Sequence, residues 1–318
     1  MTGMQIGQPW DGAGFKDLRI TGYTEDAAHR AALATVVNAV RGGGWSVDRV
    51  AAFYGHPAFD LARDARLVWQ GDQPIAAAIC YPTIHLHDRL PGNFELFVVP
   101  AARGHGLGGR LLAHLEQAAQ ARGHRVLETT VDAHDATGRR FLPAHGFAIV
   151  GQSAHLTRPD FTDLPTPVVP PGYTLTGLAA TPEAADRYRD LANRLGAYDA
   201  DYHLIEPEEM TATATQPDWE PAGISVLTDP AGREIGVLRA SGAGQARGYL
   251  HEIRLDPAQR GQGLGTALVG AGLAYLAAGG VQAVDLDTDG PDSPPYRLAL
   301  RCGFTEAHRW QQFLKRFL

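Results

Sequence analysis

Residues 95–109 read ELFVVPAARGHGLGG, and residues 252–266 read EIRLDPAQRGQGLGT. Glu95 falls on Glu252, Pro100 on Pro257, Arg103 on Arg260, Gly106 on Gly263 and Gly108 on Gly265, each pair 157 positions apart. The same offset carries Gly146-Phe147 onto Gly303-Phe304, so the register holds through about 50 residues without a gap. Self-similarity at a fixed spacing over such a length means that one structural unit occurs twice.

Between the copies, Arg158 to Gly172 reads RPDFTDLPTPVVPPG, whose five prolines forbid a helix or a central strand. The reading is therefore a first domain over 1–160, a Pro-rich linker over 161–171 and a second domain over 172–318. Within each half the apolar periodicity predicts the same succession. A short strand (Leu18 to Thr21; Tyr173 to Thr176) precedes an amphipathic helix (Ala27 to Val40; Pro182 to Leu195). Two strands joined by turn residues follow, Arg66 to Trp69 with Ile75 to Tyr81, and Ile224 to Thr228 with Ile235 to Ala240. Then come the glutamate strand, the Gly-rich loop and a helix (Leu107 to Ala121; Leu264 to Ala278). A buried strand (Val126 to Val131; Ala283 to Asp287) leads to a last helix ending at Gly-Phe.

At 318 residues the chain is long enough for two domains with their own cores, and 44% hydrophobic with 20% charged residues is the composition of a globular protein. A net charge of −7 argues against a nucleic-acid partner, which needs clustered Lys and Arg. Cys80 and Cys302 lie in different halves and make neither a disulfide framework nor a zinc spacing, so a reducing, cytoplasmic setting is expected. Met1 to Asp17 lacks the basic and apolar runs of a signal peptide, and no apolar run reaches the roughly 18 residues that span a bilayer.

The loop is a strand, then Arg, two residues, Gly-x-Gly and a helix. Backbone N–H groups at a helix N-terminus favour an anion, and glycine at 106 and 108 lets a diphosphate approach the backbone. Without Gly-Lys-Ser/Thr it is not a nucleoside-triphosphate loop, and a dinucleotide fingerprint follows a first strand rather than about the fourth. Arg-x-x-Gly-x-Gly after a strand ending near Asp-Pro, with Gly-Phe further on, resembles the GNAT N-acetyltransferase superfamily. The resemblance covers nearly the whole chain, once per half, and the tandem layout is similar to mycothiol synthases. It implies an α/β fold, α+β by some schemes: two domains, each a mixed, mostly antiparallel sheet flanked by helices, with a splayed strand pair holding acyl-CoA. It also implies acetyl-CoA as co-substrate. The coenzyme A diphosphate would sit on Arg103, Gly104, His105, Gly106, Leu107, Gly108 and Gly109, and on Arg260, Gly261, Gln262, Gly263, Leu264, Gly265 and Thr266. The pantetheine would lie along Leu96, Phe97 and Val98, and along Ile253, Arg254 and Leu255.

Acetyl transfer to an amine needs a neutral amine, a polarised carbonyl and a thiolate able to leave. A backbone N–H of the glutamate strand suits the carbonyl, and a carboxylate on that strand suits the amine proton. Glu95 and Glu252 are the candidate bases, with salt-bridged strand residues as the alternative reading. His251 also titrates in a useful range, and strand alternation lets only one of His251 and Glu252 face the cleft. His85 and His87, without a third ligand, make no metal site, and no metal is expected. Family members commonly carry a Tyr four residues before the Gly of Gly-Phe; Leu142 and Ala299 stand there, and Tyr296, one turn upstream, is the substitute acid. The reading is an acetyl-CoA-dependent N-acetyltransferase acting on a primary amine of a small molecule in a ternary complex, with the C-terminal half the better equipped. The rivals are an acetyltransferase for a protein amine or an aminoglycoside, and a non-catalytic acyl-CoA-binding module.

Overall fold

The structure is a computed structural model that describes residues 17–54, 59–82, 91–164, 168–199, 202 and 204–317. In chain order the first half gives β1 (Leu18–Gly22), α1 (Ala27–Arg41), α2 (Val47–Tyr54), α3 (Leu61–Asp64), β2 (Ala65–Gln70), β3 (Gln73–Pro82) and β4 (Pro91–Val98). It continues with α4 (Leu107–Ala121), β5 (Val126–Asp132), α5 (Ala136–Ala144) and β6 (Ala148–Arg158). The second half repeats the series with β7 (Thr174–Gly177), α6 (Ala184–Gly196), α7 (Pro207–Ala214), β8 (Ile224–Thr228), β9 (Glu234–Ser241) and β10 (Arg247–Leu255). It closes with α8 (Leu264–Ala278), β11 (Ala283–Asp289), α9 (Pro294–Arg301) and β12 (Thr305–Arg316). The expected helices and strands are present. The short helices α2, α3 and α7 and the long strands β6 and β12 were not anticipated.

Two compact units result, each with its own core. Unit 1 comprises 1–131, 135–150 and 312–318, and unit 2 comprises 132–134 and 151–311. In unit 1, β1 to β4 pair antiparallel in sequence order, and β5 joins β4 in parallel. In unit 2, β7 to β10 do the same, β11 joins β10 in parallel, and β6 adds antiparallel to β11. From Gly151 onward β6 therefore counts with the second unit, and from Gln312 onward β12 counts with the first.

The helices start and stop where side chains supply the missing backbone partners. The Asp26 carboxylate accepts the N–H of His29 at the start of α1, and Gly42, at φ +83°, ends it. Ser293 caps α9, whose first turn begins with proline. Each sheet is packed on both faces. In unit 1, Leu107, Leu111, Leu112 and Leu115 of α4 pack with Phe94 and Phe147 against one face, while Leu33, Val36 and Val37 of α1 cover Ile79 and Phe97 on the other. In unit 2, Leu264, Leu268, Leu273 and Leu276 of α8 pack with Leu238, Leu250 and Leu286, while Tyr188, Leu191 and Leu195 of α6 cover Val226 and Val237.

Phe313 is fully buried in the same cluster as Leu111 and Leu115. Truncating a buried phenylalanine to alanine costs roughly 3–5 kcal/mol. Phe313→Ala should accordingly speed amide hydrogen exchange through α4 by orders of magnitude while leaving α8 protected. Equal protection of α4 in the variant and the parent would show that the chain's last strand contributes nothing to unit 1.

Candidate active site

The two Gly-rich loops are built alike. Gly104 and Gly106 sit at φ +81° and +77°, and Gly261 and Gly263 at +82° and +82°. Gly106 and Gly263 are the N-caps of α4 and α8. A Cβ at any of these four positions would meet nothing within 4 Å, so left-handed backbone rather than crowding demands glycine. That open space lies beside first-turn N–H groups without intrahelical acceptors, Leu107 to Gly109 and Leu264 to Thr266, since the first helical bonds are Arg110 N–H to Gly106 and Ala267 N–H to Gly263. The second motif glycine has a different reason. A Cβ on Gly108 would press on Phe141 at 3.3 Å, and one on Gly265 on Leu298 at 3.2 Å, so these glycines let the following helix pack close. Leu107 and Leu264 anchor the loops in the cores, while 104–106 and 261–263 stay exposed. The motif arginine folds back on the strand it follows. Arg103 Nε donates to the Val98 carbonyl at 3.0 Å and Arg260 Nε to the Leu255 carbonyl at 3.4 Å. Donor-rich loops with room above them suit a diphosphate.

The strands feeding these loops part from their parallel neighbours. β4 pairs with β5 only from Pro91 to Asn93, and β10 with β11 only from Arg247 to Leu250. Beyond those points Leu96, Phe97 and Val98, and Ile253, Arg254 and Leu255, have no partner strand on that side among the described residues. The units differ at the fork. In unit 1, β4 keeps an unbroken register with β3, Glu95 lies opposite Ile79, and the Thr129 hydroxyl donates to the Phe94 carbonyl at 2.8 Å. In unit 2 the register slips: Leu250 pairs with Ala240 but Glu252 with Arg239, which leaves His251 as the extra residue of a bulge. The slip overturns the alternation expected from the sequence. Leu250 points into the α8 core, whereas Glu252 bonds to α6 and His251 stands at the Ser241 and Asp218 side chains.

Both glutamates are held by a tyrosine and an arginine. Tyr54 donates to Glu95 Oε2, and Arg41 Nη2 donates to Oε1 at 2.5 Å. Arg41 in turn lies over the rings of Trp45 and Phe97. Tyr188 donates to Glu252 Oε2 at 2.5 Å, and Arg254 Nε donates to Oε1. Arg254 also reaches Asp199 at 3.0 Å and covers the Tyr202 ring. Burial first, and the neighbouring glutamate second, raise both tyrosine pKa values well above the ordinary phenol, so these protons stay put. The carboxylates remain 13% and 18% exposed, so each is paired yet reachable.

His251 Nε2 is 2.6 Å from the Ser241 hydroxyl. Burial, with Arg239 second, pushes the imidazole down to about 4, so it is neutral near pH 7. Tyr296 is buried, and its hydroxyl donates to Glu306 at 2.8 Å. Burial, then Glu306, raises its pKa. Leu142 and Ala299 are core positions. His85 and His87 lie outside the described residues. Among the described residues no three His, Cys, Asp or Glu side chains gather to hold a metal, and no helix is long and apolar enough to cross a membrane. The sequence reading missed Arg41, Tyr188, Arg239 and Ser241 altogether. The one available signal was Tyr188 on the apolar stripe of α6, where a buried hydroxyl requires a partner.

Comparison with known proteins agrees with this geometry. The acetyltransferase (GNAT) family matches residues 36–147 and again 192–304. A mycothiol acetyltransferase of Thermobispora bispora is 31% identical over 252 residues, covering 77% of this chain and 80% of its own. That of Actinosynnema mirum is 30% identical over 258 residues, covering 78% and 81%. In fold, a GCN5-related N-acetyltransferase from Sphaerobacter thermophilus superposes with a TM-score of 0.77 at 20% identity, covering 95% of this chain and 96% of its own. A tandem GNAT protein from the clavulanic acid biosynthesis pathway gives 0.64 at 22%, covering 94% and 98%. With the family matched in both halves, the chain belongs to the acetyltransferase (GNAT) family as a tandem N-acetyltransferase that uses acetyl-CoA.

Proposed function

We propose that unit 2 transfers acetyl from acetyl-CoA to a primary amine of a small molecule, by direct attack within a ternary complex. The observation that carries this reading is the bulge at His251, present in unit 2 and lacking in unit 1. A bulge leaves one residue outside the ladder, and at a fork between parallel strands its backbone N–H is free to face a carbonyl oxygen as an oxyanion donor. Acetyl-CoA supplies an activated acetyl thioester. The backbone of Ile253, Arg254 and Leu255 would line the pantetheine, and Arg260 to Thr266 the diphosphate. In unit 1, Leu96 to Val98 and Arg103 to Gly109 offer a second place for coenzyme A without transfer. The relatives named for mycothiol support a small-molecule acceptor, and a cytoplasmic location accords with that reading.

Glu252 accepts the proton of the incoming amine. A carboxylate offers about four acceptor positions, and Tyr188 and Arg254 occupy one on each oxygen. Those two bonds fix the carboxylate's direction and leave the remaining positions for the amine or a water. His251, neutral and held at Ser241, borders the amine without carrying charge. As the new C–N bond forms and the C–S bond breaks, the thiolate leaves with the electron pair. An unperturbed thiol pKa of about 8.5 lets it leave without a dedicated acid. Tyr296, bonded to Glu306, serves as a brace between α9 and β12.

In the full chain, Gly263→Val should abolish coenzyme A binding by unit 2, because a β-branched residue resists φ near +82°. Gly106→Val should do so in unit 1 only, so calorimetry on each variant should read one site fewer than the parent. Unchanged stoichiometry in folded Gly263→Val protein would reduce the loop to a turn.

Glu252→Gln should lower turnover by roughly 10²–10⁴-fold, measured as free thiol release over an amine library. Coenzyme A affinity should stay constant, and Glu95→Gln should leave turnover intact. A Glu95→Gln variant as crippled as Glu252→Gln, or a Glu252→Gln variant with full activity, would refute the assignment to unit 2. Tyr296→Phe should keep its turnover; a large loss there would restore Tyr296 as the acid.

A further inference from the structure

Directly across the ladder from Glu252 stands Arg239, where the same place in unit 1, opposite Glu95, holds Ile79. Ile79 is fully buried under α1, so the fold itself accepts an apolar residue there. Arg239 is 13% exposed, and its buried Nη1 has no hydrogen-bond partner among the described residues. The Asp218 carboxylate lies 3.8 Å from this nitrogen, beyond hydrogen-bond distance. Among the described residues no hydrogen bond or ion pair joins Arg239 to Glu252, whose two oxygens are bonded to Tyr188 and Arg254. A buried guanidinium nitrogen without a hydrogen-bond acceptor is destabilising, and replacing the side chain by an apolar residue would relieve that cost. Its presence beside the transfer site therefore points to a ligand.

We infer that Arg239 binds a carboxylate of the acceptor, so that unit 2 acetylates an amine carrying a carboxylate a few bonds away. This rests on the reading of unit 2 as the acetylating unit. The planar fork of a guanidinium matches a carboxylate in geometry and charge. Asp218, half-exposed at the edge of the same group, would repel a phosphate dianion but would favour the ammonium end of a zwitterion. With the carboxylate on Arg239, the amine faces Glu252 and His251, the neighbours on β10. The field of Arg239 is not cancelled by Asp218: it is the second cause, after burial, of the lowered His251 pKa.

The test is calorimetric binding to the full chain, saturated with coenzyme A, of two product-like probes, N-acetyl-L-alanine and N-ethylacetamide, which differ by the carboxylate. The parent should bind N-acetyl-L-alanine about tenfold or more tightly than N-ethylacetamide, the worth of a charge-assisted hydrogen bond. Arg239→Ile, which copies Ile79 of the other unit, should lose that preference while melting at or above the parent temperature and keeping its coenzyme A affinity. Arg239→Gln, which keeps length and polarity without charge, should lose it as well and serves if the isoleucine variant does not fold. Equal affinity of the parent for both probes, including none for either, overturns the inference, as does a preference that survives in either folded variant. Because no turnover is read, failure of acetyl transfer itself would register only in the Glu252→Gln experiment.

Discussion

The parting of β10 from β11 after Leu250 is the constraint on which the chemistry proposed for the second unit depends. Buried backbone N–H and C=O groups must find partners, so a sheet opened in its middle is unfavourable unless something fills the gap. In unit 1 the fork beyond Asn93 is partly closed by a side chain, with the Thr129 hydroxyl meeting the Phe94 carbonyl. The position corresponding to Thr129 in the repeat is Leu286, which has no hydroxyl and packs in the core. Leu286 instead stays in the ladder opposite Leu250, so the fork of unit 2 opens one residue later than that of unit 1.

The repeat was legible because the loop is made of residues whose backbone demands are unusual. Left-handed glycines at 104, 106, 261 and 263 and an arginine that ties back to its strand leave little freedom in sequence. The bulge was not legible, for a simple reason. It lies one residue before the ungapped stretch begins, so the offset of 157 that relates Glu95 to Glu252 hides the fact that Phe94 corresponds in space to Leu250, at an offset of 156. Both are buried on the helix α4 or α8 side of their sheets. Strand alternation applied across that point gave a choice between His251 and Glu252 that the backbone does not impose.

The partners of the two glutamates were illegible for another reason. Tyr54 comes from α2 and Tyr188 from α6, so the same hydroxyl-to-carboxylate contact is reached from elements that do not correspond in the repeat. The arginines differ likewise: Arg41 arrives from α1, whereas Arg254 lies two residues along the same strand. Only packing brings such residues together. β6 and β12 were missed because their sequences, AIVGQSAHLTR and TEAHRWQQFLKR, carry many polar residues, and the apolar few that matter, such as Leu156 and Phe313, are known as core only from the units they join.

Comparing the copies separates what the fold needs from what one copy adds. Position by position the cores are conservative: leucines line α4 and α8, aromatic or aliphatic residues fill the strands facing them, and Gly-Phe ends each unit's last helix. On the opposite face, around the glutamate, they diverge. Unit 1 places Ile79 opposite Glu95 and leaves Arg41 stacked between rings, an arrangement that satisfies itself. Unit 2 places Arg239, Ser241, His251 and Asp218 there, with one guanidinium nitrogen lacking a hydrogen-bond acceptor among the described residues and the histidine kept neutral by burial. Unsatisfied polar groups persist in a native structure at a cost to stability, and they cluster where a ligand completes them. By that criterion the incomplete surface, rather than the paired one, carries the proposed acceptor site, and it lies on the same stretch of β10 as the bulge.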